Sequence, residues 1–410
     1  MASLDRREFL RRSVITGVSV GAGAGLVPAA RADQEASTES AAPSVKRYAR
    51  LGRTGLEVSD ISFGSSRLRS DTELVRHAFD RGINYFDTAE GYTGGAAEET
   101  IGRALGTDRE RVYLASKTKA NPGDTVDVFM ARLEASLKRL RTDRVEVYFN
   151  HAINSLDRLQ VDDWYEFLDR AKQQGKIRYT GVSGHGGQLV DCLDYLLDND
   201  LVDVILAAYN FGQDPAFYER FTRRLDFIAV QPDLPRVLKK ARDKNVGVVA
   251  MKTLHGAKLN EMRPYETEEG TFAQAAFRWV LNGGLADNLI VTMQSNEMVD
   301  EYLGASGAGK PTGAALSLLD RYVNRNAARC RYGCNECLGN CPNGVEIPEV
   351  MRTRMYAEDY EDLALAREDY AKIAVNASAC ASCSNQLCLG SCPQRIAIPE
   401  RTKATHSLLA

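Results

Sequence analysis

Of the nine cysteines in this 410-residue chain, eight fall between Cys330 and Cys392. They form two quartets, Cys330-x3-Cys334-x2-Cys337-x3-Cys341-Pro342 and, 38 residues later, Cys380-x2-Cys383-x4-Cys388-x3-Cys392-Pro393. The sequel repeats as well: Val345-Glu346-Ile347-Pro348-Glu349 matches Ile396-Ala397-Ile398-Pro399-Glu400, so a cysteine loop entering a helix has been duplicated. Thiolates this closely spaced suit iron–sulfur ligation. Zinc sites favour separate Cys-x2-Cys pairs, and disulfide scaffolds do not usually carry a Cys-Pro-x-x-Val/Ile-x-Ile-Pro run twice. Both remain alternatives to clusters.

Four other side chains have a shared chemistry: Asp87, Tyr92, Lys117 and His151. A phenol with a pKa near 10 is a poor acid at neutral pH. A lysine ammonium beside it is expected to lower that value, and a carboxylate would keep the lysine charged and oriented. A histidine next to the tyrosine can hydrogen-bond a carbonyl oxygen. Such a set suits proton delivery to oxygen while a hydride reaches carbon.

For these four to meet, the chain must bring distant segments to one rim. Short β-branched runs recur at Val58–Phe63, Ile83–Asp87, Val112–Ser116, Val145–Asn150, Arg178–Val182, Val202–Ala207, Val246–Met251 and Asn288–Thr292. They read as parallel strands buried on both faces. Helix-period segments lie between them, among them Val126–Leu140, Asp162–Gln174, Gln188–Asn199, Pro235–Asn245 and Thr271–Leu281. Eight strand–helix repeats predict an α/β fold, a (β/α)8 TIM barrel over residues 47–313. No Gly-x-Gly-x-x-Gly follows the first strand, which leaves a doubly wound sheet without support. In such a barrel the C-terminal strand ends face the active-site mouth. Asp87 ends the second strand, Lys117 the third, and His151 follows the fourth.

The segment Gly82-Ile83-Asn84-Tyr85-Phe86-Asp87-Thr88-Ala89-Glu90-Gly91-Tyr92 resembles an aldo-keto reductase signature. Ser136-Leu137-Lys138-Arg139-Leu140 leading to His151, and Gly175-Lys176-Ile177-Arg178-Tyr179-Thr180-Gly181-Val182-Ser183, are similar to that family too. The resemblance implies Asp87, Tyr92, Lys117 and His151 as the catalytic tetrad, with Tyr92 the proton donor. It also implies NADP or NAD across the mouth, along Gly64, Ser65, Asp87, Ser183, Lys252, Leu254, Gly256 and Gln294, and a small carbonyl or alcohol substrate. Two family positions that hold the nicotinamide carboxamide are Gly184 and Leu206 here. The segment after strand 8, Thr292 to Met298, has no Lys or Arg to select a 2′-phosphate. His185 follows strand 5 and faces the same mouth.

Residues 314–410 resemble a small, mainly helical, ferredoxin-like iron–sulfur domain, joined by a linking helix over 350–375. In two-cluster ferredoxins the cysteine before proline ligates the other cluster. The resemblance therefore implies one [4Fe–4S] cluster on Cys330, Cys334, Cys337 and Cys392, and a second on Cys380, Cys383, Cys388 and Cys341. A redox partner protein is the implied recipient of the electrons.

The N-terminus reads as an address. Arg6-Arg7 and Arg11-Arg12 flank Phe9-Leu10, then a mild Gly/Ala/Val stretch leads to Ala30-Arg31-Ala32. Residues 1–32 match a twin-arginine export signal to the periplasm or cell envelope, followed by a polar linker over 33–46. That route carries folded, cofactor-loaded proteins. The signal holds five Arg against Asp5 and Glu8, net +3, so removing it takes the chain from −3 to −6. Such a charge gives no case for nucleic acid, and no membrane span is expected once the signal is cleaved. The expected protein is an exported oxidoreductase. Its alternative is a non-catalytic barrel supporting an iron–sulfur electron carrier.

Overall fold

A computed structural model describes residues 42–410 apart from 154, 186–187, 214–232, 256–261, 326–329, 331–334, 359–361 and 393–395. The expected signal and most of the linker lie outside the described residues. So do Cys334 and Gly256.

The first expected strand is two strands. β1 (Tyr48–Arg50) and β2 (Glu57–Ser59) form an antiparallel hairpin, and β3 (Ile61–Gly64) starts the barrel. Asp60 makes the break. It is fully buried, and its carboxylate accepts from the Ile61 N–H (2.9 Å), Ser306 Oγ (2.7 Å) and the Gly307 N–H (2.8 Å). Its backbone N–H donates to Arg47 O on the hairpin side (3.1 Å) while its carbonyl accepts from the Leu289 N–H of the barrel (2.9 Å), so the chain passes from one sheet to the other at this residue, with the carboxylate held by three donors.

From β3 the strands run β4 (Tyr85–Asp87), β5 (Tyr113–Thr118), β6 (Val145–Ile153), β7 (Ile177–Gly184), β8 (Val204–Ala208), β9 (Gly247–Met251) and β10 (Asn288–Thr292). Each pairs in parallel with the next, and β10 pairs with β3, with Leu289 opposite Ile61, which closes the barrel. The eight-repeat pattern is what this architecture requires. Around it lie α1 (Thr72–Asp80), α2 (Ala96–Leu105), α3 (Val126–Leu140), α4 (Asp162–Gln173), α5 (Leu189–Asp198), α6 (Leu234–Asp243), α7 (Phe272–Asn282) and α8 (Asn296–Leu303).

Two apolar layers hold it. The larger lies between strands and helices and includes Phe63, Phe86, Phe129, Trp164 and Phe277. The smaller fills the barrel interior with Tyr85, Val147, Phe149, Val204, Leu206 and Val249, and the hairpin adds Leu51, Leu56 and Val58. Gly181 is a spatial requirement of that interior, because a Cβ there would lie 2.4 Å from the Phe149 ring.

Beyond the barrel, α9 (Gly313–Arg325) packs Leu318, Leu319, Tyr322 and Val323 on Phe211, Met262 and Phe272. The duplicated segments then open in the same way. The Ile347 N–H donates to Val345 O and the Ile398 N–H to Ile396 O, each at 2.8 Å, and each turn starts a 12-residue helix. These are α10 (Ile347–Glu358) and α12 (Ile398–Leu409). The single linking helix expected over 350–375 is instead two, α10 and α11 (Leu363–Tyr370). The Asp362 side chain caps α11 by accepting from the Leu365 N–H, which starts a new helix where the sequence pattern suggested continuity. Val350, Met351, Ala366, Tyr370, Ile373 and Ile398 make a small separate core. Among the described residues no helix is long and apolar enough to cross a membrane.

Candidate active site and thiol cluster

The C-terminal strand ends and the C-terminal helices enclose one cavity of about 1000 Å³. Asp87, Tyr92, Lys117 and His151 all line it, as do Gly64, Ser65, Ser183, Lys252, Leu254 and Gln294. Gly64 lies so close to β10 that a Cβ would sit 3.0 Å from the Val291 carbonyl, which keeps this wall bare backbone. Gly184 has no room for a side chain either, since its Cβ would lie 2.5 Å from Leu189 Cδ1. Leu206 is sealed in the barrel interior, so neither of these two positions offers a polar group to the cavity.

Lys117 and Asp87 are each 1% exposed and form an ion pair. Lys117 Nζ donates to Asp87 Oδ1 (2.5 Å) and to Thr88 O (2.6 Å). Burial pushes Asp87 up and Lys117 down, and each partner's charge opposes the shift. The same ammonium sits 5.0 Å from the centroid of the Tyr92 ring. Tyr92 and His151 meet edge to face with centroids 5.7 Å apart.

The expected lowering of the Tyr92 pKa is reversed. Burial, and then the Asp87 carboxylate, hold this phenol well above its ordinary value. Tyr92 is therefore held protonated, the state a proton donor needs. His151 moves the other way. Burial and then the neighbouring cations Lys117, Lys119 and Arg158 push it well below its ordinary value, which leaves a neutral imidazole.

His151 lies inside β6, whose ladder continues to Ile153 across a register shift between Asn150 and Ile153. Arg158, from the loop after β6, holds this irregular end. It donates to Ala152 O (2.5 Å), His151 O (2.8 Å), Asn150 Oδ1 (3.1 Å) and Ala120 O (3.1 Å). Ser183 Oγ accepts from the Ala152 N–H at 3.0 Å. Sequence reasoning passed over Arg158, because its partners are backbone carbonyls that no spacing reveals.

It also passed over the C-terminal wall. Glu349, Arg352, Tyr356, Leu365, Asp369 and Lys372 line the cavity opposite the strand ends. Arg67, from the loop after β3, ties this wall to the barrel by bonding Asp362 at 2.9 Å. Arg352 bonds Glu349 (2.8 Å), Asp369 (3.0 Å) and Tyr356 OH (3.0 Å). The composition of 350–375 signalled a helix, not which surface it covers.

Three buried polar atoms in the cavity have no protein partner: Ser65 Oγ, Asp87 Oδ2 and Thr253 Oγ1. Orphaned buried groups are what a polar ligand would satisfy. The residues present therefore fit a nicotinamide dinucleotide, with Ser65, Ser183, Lys252 and Thr253 on the walls that would hold it.

Behind this wall, Cys341, Cys380, Cys383 and Cys388 line a second, small cavity with Ile347 and Ile398. Burial raises the Cys380 and Cys388 thiols, and the other thiols of the four add to the shift. This is one of the two crossed quartets. Among the described residues no three His, Cys, Asp or Glu side chains are close enough to hold a single metal ion. Cys337 and Cys392 pack on the same small core. Cys330 is exposed.

The profile of the aldo/keto reductase family matches residues 60–270. The L-galactose dehydrogenase of Arabidopsis thaliana is 31% identical over 236 residues, 53% of this chain and 68% of that protein. The L-glyceraldehyde 3-phosphate reductase of Escherichia coli (strain K12) is 24% identical over 321 residues, 68% of this chain and 92% of the relative. In fold alone, the holo form of aldo-keto reductase AKR11C1 from Bacillus halodurans is similar, with a TM-score of 0.54 at 20% identity over 67% of this chain and 95% of that one.

Proposed function

The chain belongs to the aldo/keto reductase family, and from that premise we propose that it is an exported oxidoreductase interconverting a small carbonyl compound and its alcohol. Tyr92 edge to face with His151, both beside the buried Lys117–Asp87 pair, is the observation that carries this reading. When bound, a reduced nicotinamide supplies hydride to the carbonyl carbon. Tyr92 gives its proton to the carbonyl oxygen. His151 orients that oxygen by hydrogen bonding, and Lys117, held by Asp87, keeps positive charge under the phenol ring as the proton leaves. Sugar aldehydes and their alcohols are the natural first substrates to assay, given the two relatives' names.

Cys341, Cys380, Cys383 and Cys388 are proposed to hold one [4Fe–4S] cluster, and Cys330, Cys334, Cys337 and Cys392 the other. Two such clusters, when bound, would supply one-electron steps that together match the two electrons of a hydride. The first turn of α10 supports a connection between them and the barrel. Glu346 and Glu349 line the large cavity, while Ile347 lines the thiol cavity. A redox partner protein in the periplasm or cell envelope would take the electrons onward, and the twin-arginine route would export the loaded protein.

The test is anaerobic addition of NADH, NADPH and substrate to the purified full chain while the visible cluster absorbance is followed. Bleaching on addition supports coupling. An absorbance indifferent to all three makes the clusters structural. A second reading, a non-catalytic barrel beneath an electron carrier, is favoured by Gly184 and Leu206 alone. Absence of both nicotinamide binding and released cofactor would decide for it.

A further inference from the structure

Four cations crowd the side of the large cavity that holds Tyr92 and His151. Two belong to the barrel, Lys119 just past β5 and Arg158 in the loop after β6. Two belong to the C-terminal wall, Arg352 on α10 and Lys372 just after α11. All four line the cavity, and among its described lining residues seven are Lys or Arg against five Asp or Glu.

The local balance is more uneven than that count. The four bonds of Arg158 all end on neutral oxygens, three backbone carbonyls and the Asn150 amide. Asp369 serves both Arg352 (3.0 Å) and Lys372 (3.2 Å), and it is also the carboxylate whose charge reaches Lys119. After burial, Lys117 and then Lys119, Arg158 and Lys372 push His151 down, Lys252 and then Arg352 act on His185, and Arg158, Lys372 and Arg352 lower Lys119 against the opposing charge of Asp369. A partly enclosed cavity with surplus positive charge attracts and retains an anion. Arg352 is committed to three partners and Lys372 to two, its ammonium bonding Glu368 at 2.9 Å and Asp369 at 3.2 Å, while Lys372 and Lys119 both remain exposed.

We propose that the substrate carries an anionic group, a carboxylate or a phosphate, held by Lys119 and Lys372 while its carbonyl oxygen faces Tyr92 and His151. The inference rests on the carbonyl–alcohol reading above and adds the substrate's charge. It also gives the C-terminal helices a part in specificity, since one of the two cations comes from them.

The experiment compares matched aldehydes on the full-length, cluster-loaded protein. Succinic semialdehyde is set against butanal, and glyceraldehyde 3-phosphate against glyceraldehyde. The expected kcat/KM ratio favours the anionic member of at least one pair by about tenfold or more, as a hydrogen-bonded charge contact allows. The pair with the larger ratio identifies carboxylate or phosphate. In the double variant Lys119→Gln/Lys372→Gln that ratio falls toward one, and in the wild type the KM of the anionic aldehyde rises with ionic strength.

Ratios near one for both pairs overturn the inference while leaving the reductase reading intact. So does a double variant that keeps the ratio but binds NADH or NADPH more weakly by fluorescence, since the cations would then serve the dinucleotide. If no aldehyde is turned over, the reductase reading fails, and thermal shift with succinate and inorganic phosphate judges the anion site directly. Stabilisation of the wild type, absent in the double variant, supports it. No stabilisation of either protein overturns it.

Discussion

Replacing Asp87 by Asn isolates the buried pair at the base of the site. The substitution keeps size and one acceptor oxygen but removes the charge facing Lys117, which is 1% exposed and bonded at 2.5 Å. Removing one member of a buried pair typically costs about 3–5 kcal/mol. Thr88 O still accepts from Lys117 at 2.6 Å, and the Asn carbonyl can replace the lost acceptor, so the lower end, about 3 kcal/mol, applies at neutral pH. The pH dependence identifies the cause. Burial already holds Lys117 below its ordinary value of 10.5, and loss of Asp87 lowers it further. Between the lowered folded value and 10.5 the unfolded chain binds the extra proton, so stability rises with pH through that window. Asp87→Asn should therefore lose most against the wild type near neutrality, and the gap should narrow as pH climbs toward 10.5. Urea denaturation of both proteins across that range measures it. A gap that stays constant with pH, or stays below about 1 kcal/mol throughout, would refute the claim that an uncompensated buried ammonium is the cost.

Tyr92→Phe should retain the folded structure by circular dichroism and lose about 10²–10⁴ in kcat for carbonyl reduction, the usual contribution of a positioned proton donor. His151 is held well below 6.5, so kcat/KM should show no inflection near that value as pH falls. For the same group, stability should decline below pH 6.5, where the unfolded chain takes up a proton that the folded one resists. Cys341→Ser should lower both iron and acid-labile sulfide, neither of which a zinc site would contain. Unchanged iron in that variant would sink the crossed ligand assignment.

The sequence was legible where each residue's environment repeats along the chain. Val126–Leu140 and Asn288–Thr292 match the expected helix and strand end to end, because apolar spacing alone sets which face of each is buried. Val58–Phe63 misled for a local reason. Every residue there suits a strand except Asp60, and only its distant partners Ser306 and Gly307 make a break cheaper than an unsatisfied carboxylate. The tetrad was legible because barrel topology delivers successive strand ends to one rim. The direction of the Tyr92 shift was not, since it depends first on burial of the phenol in the folded chain and then on the Asp87 carboxylate beside it.

By itself, then, the amino-acid sequence determined the eight-fold strand–helix repeat, the four polar residues at consecutive strand ends and the duplicated cysteine loops, all of which are periodic or locally spaced. Tertiary structure alone decided that α10 and α11 form the far wall of the barrel cavity and that Arg158 pins the strand end bearing His151. Those are contacts between segments far apart in the chain. They arise from packing and from satisfying buried polar groups, and no local pattern records either.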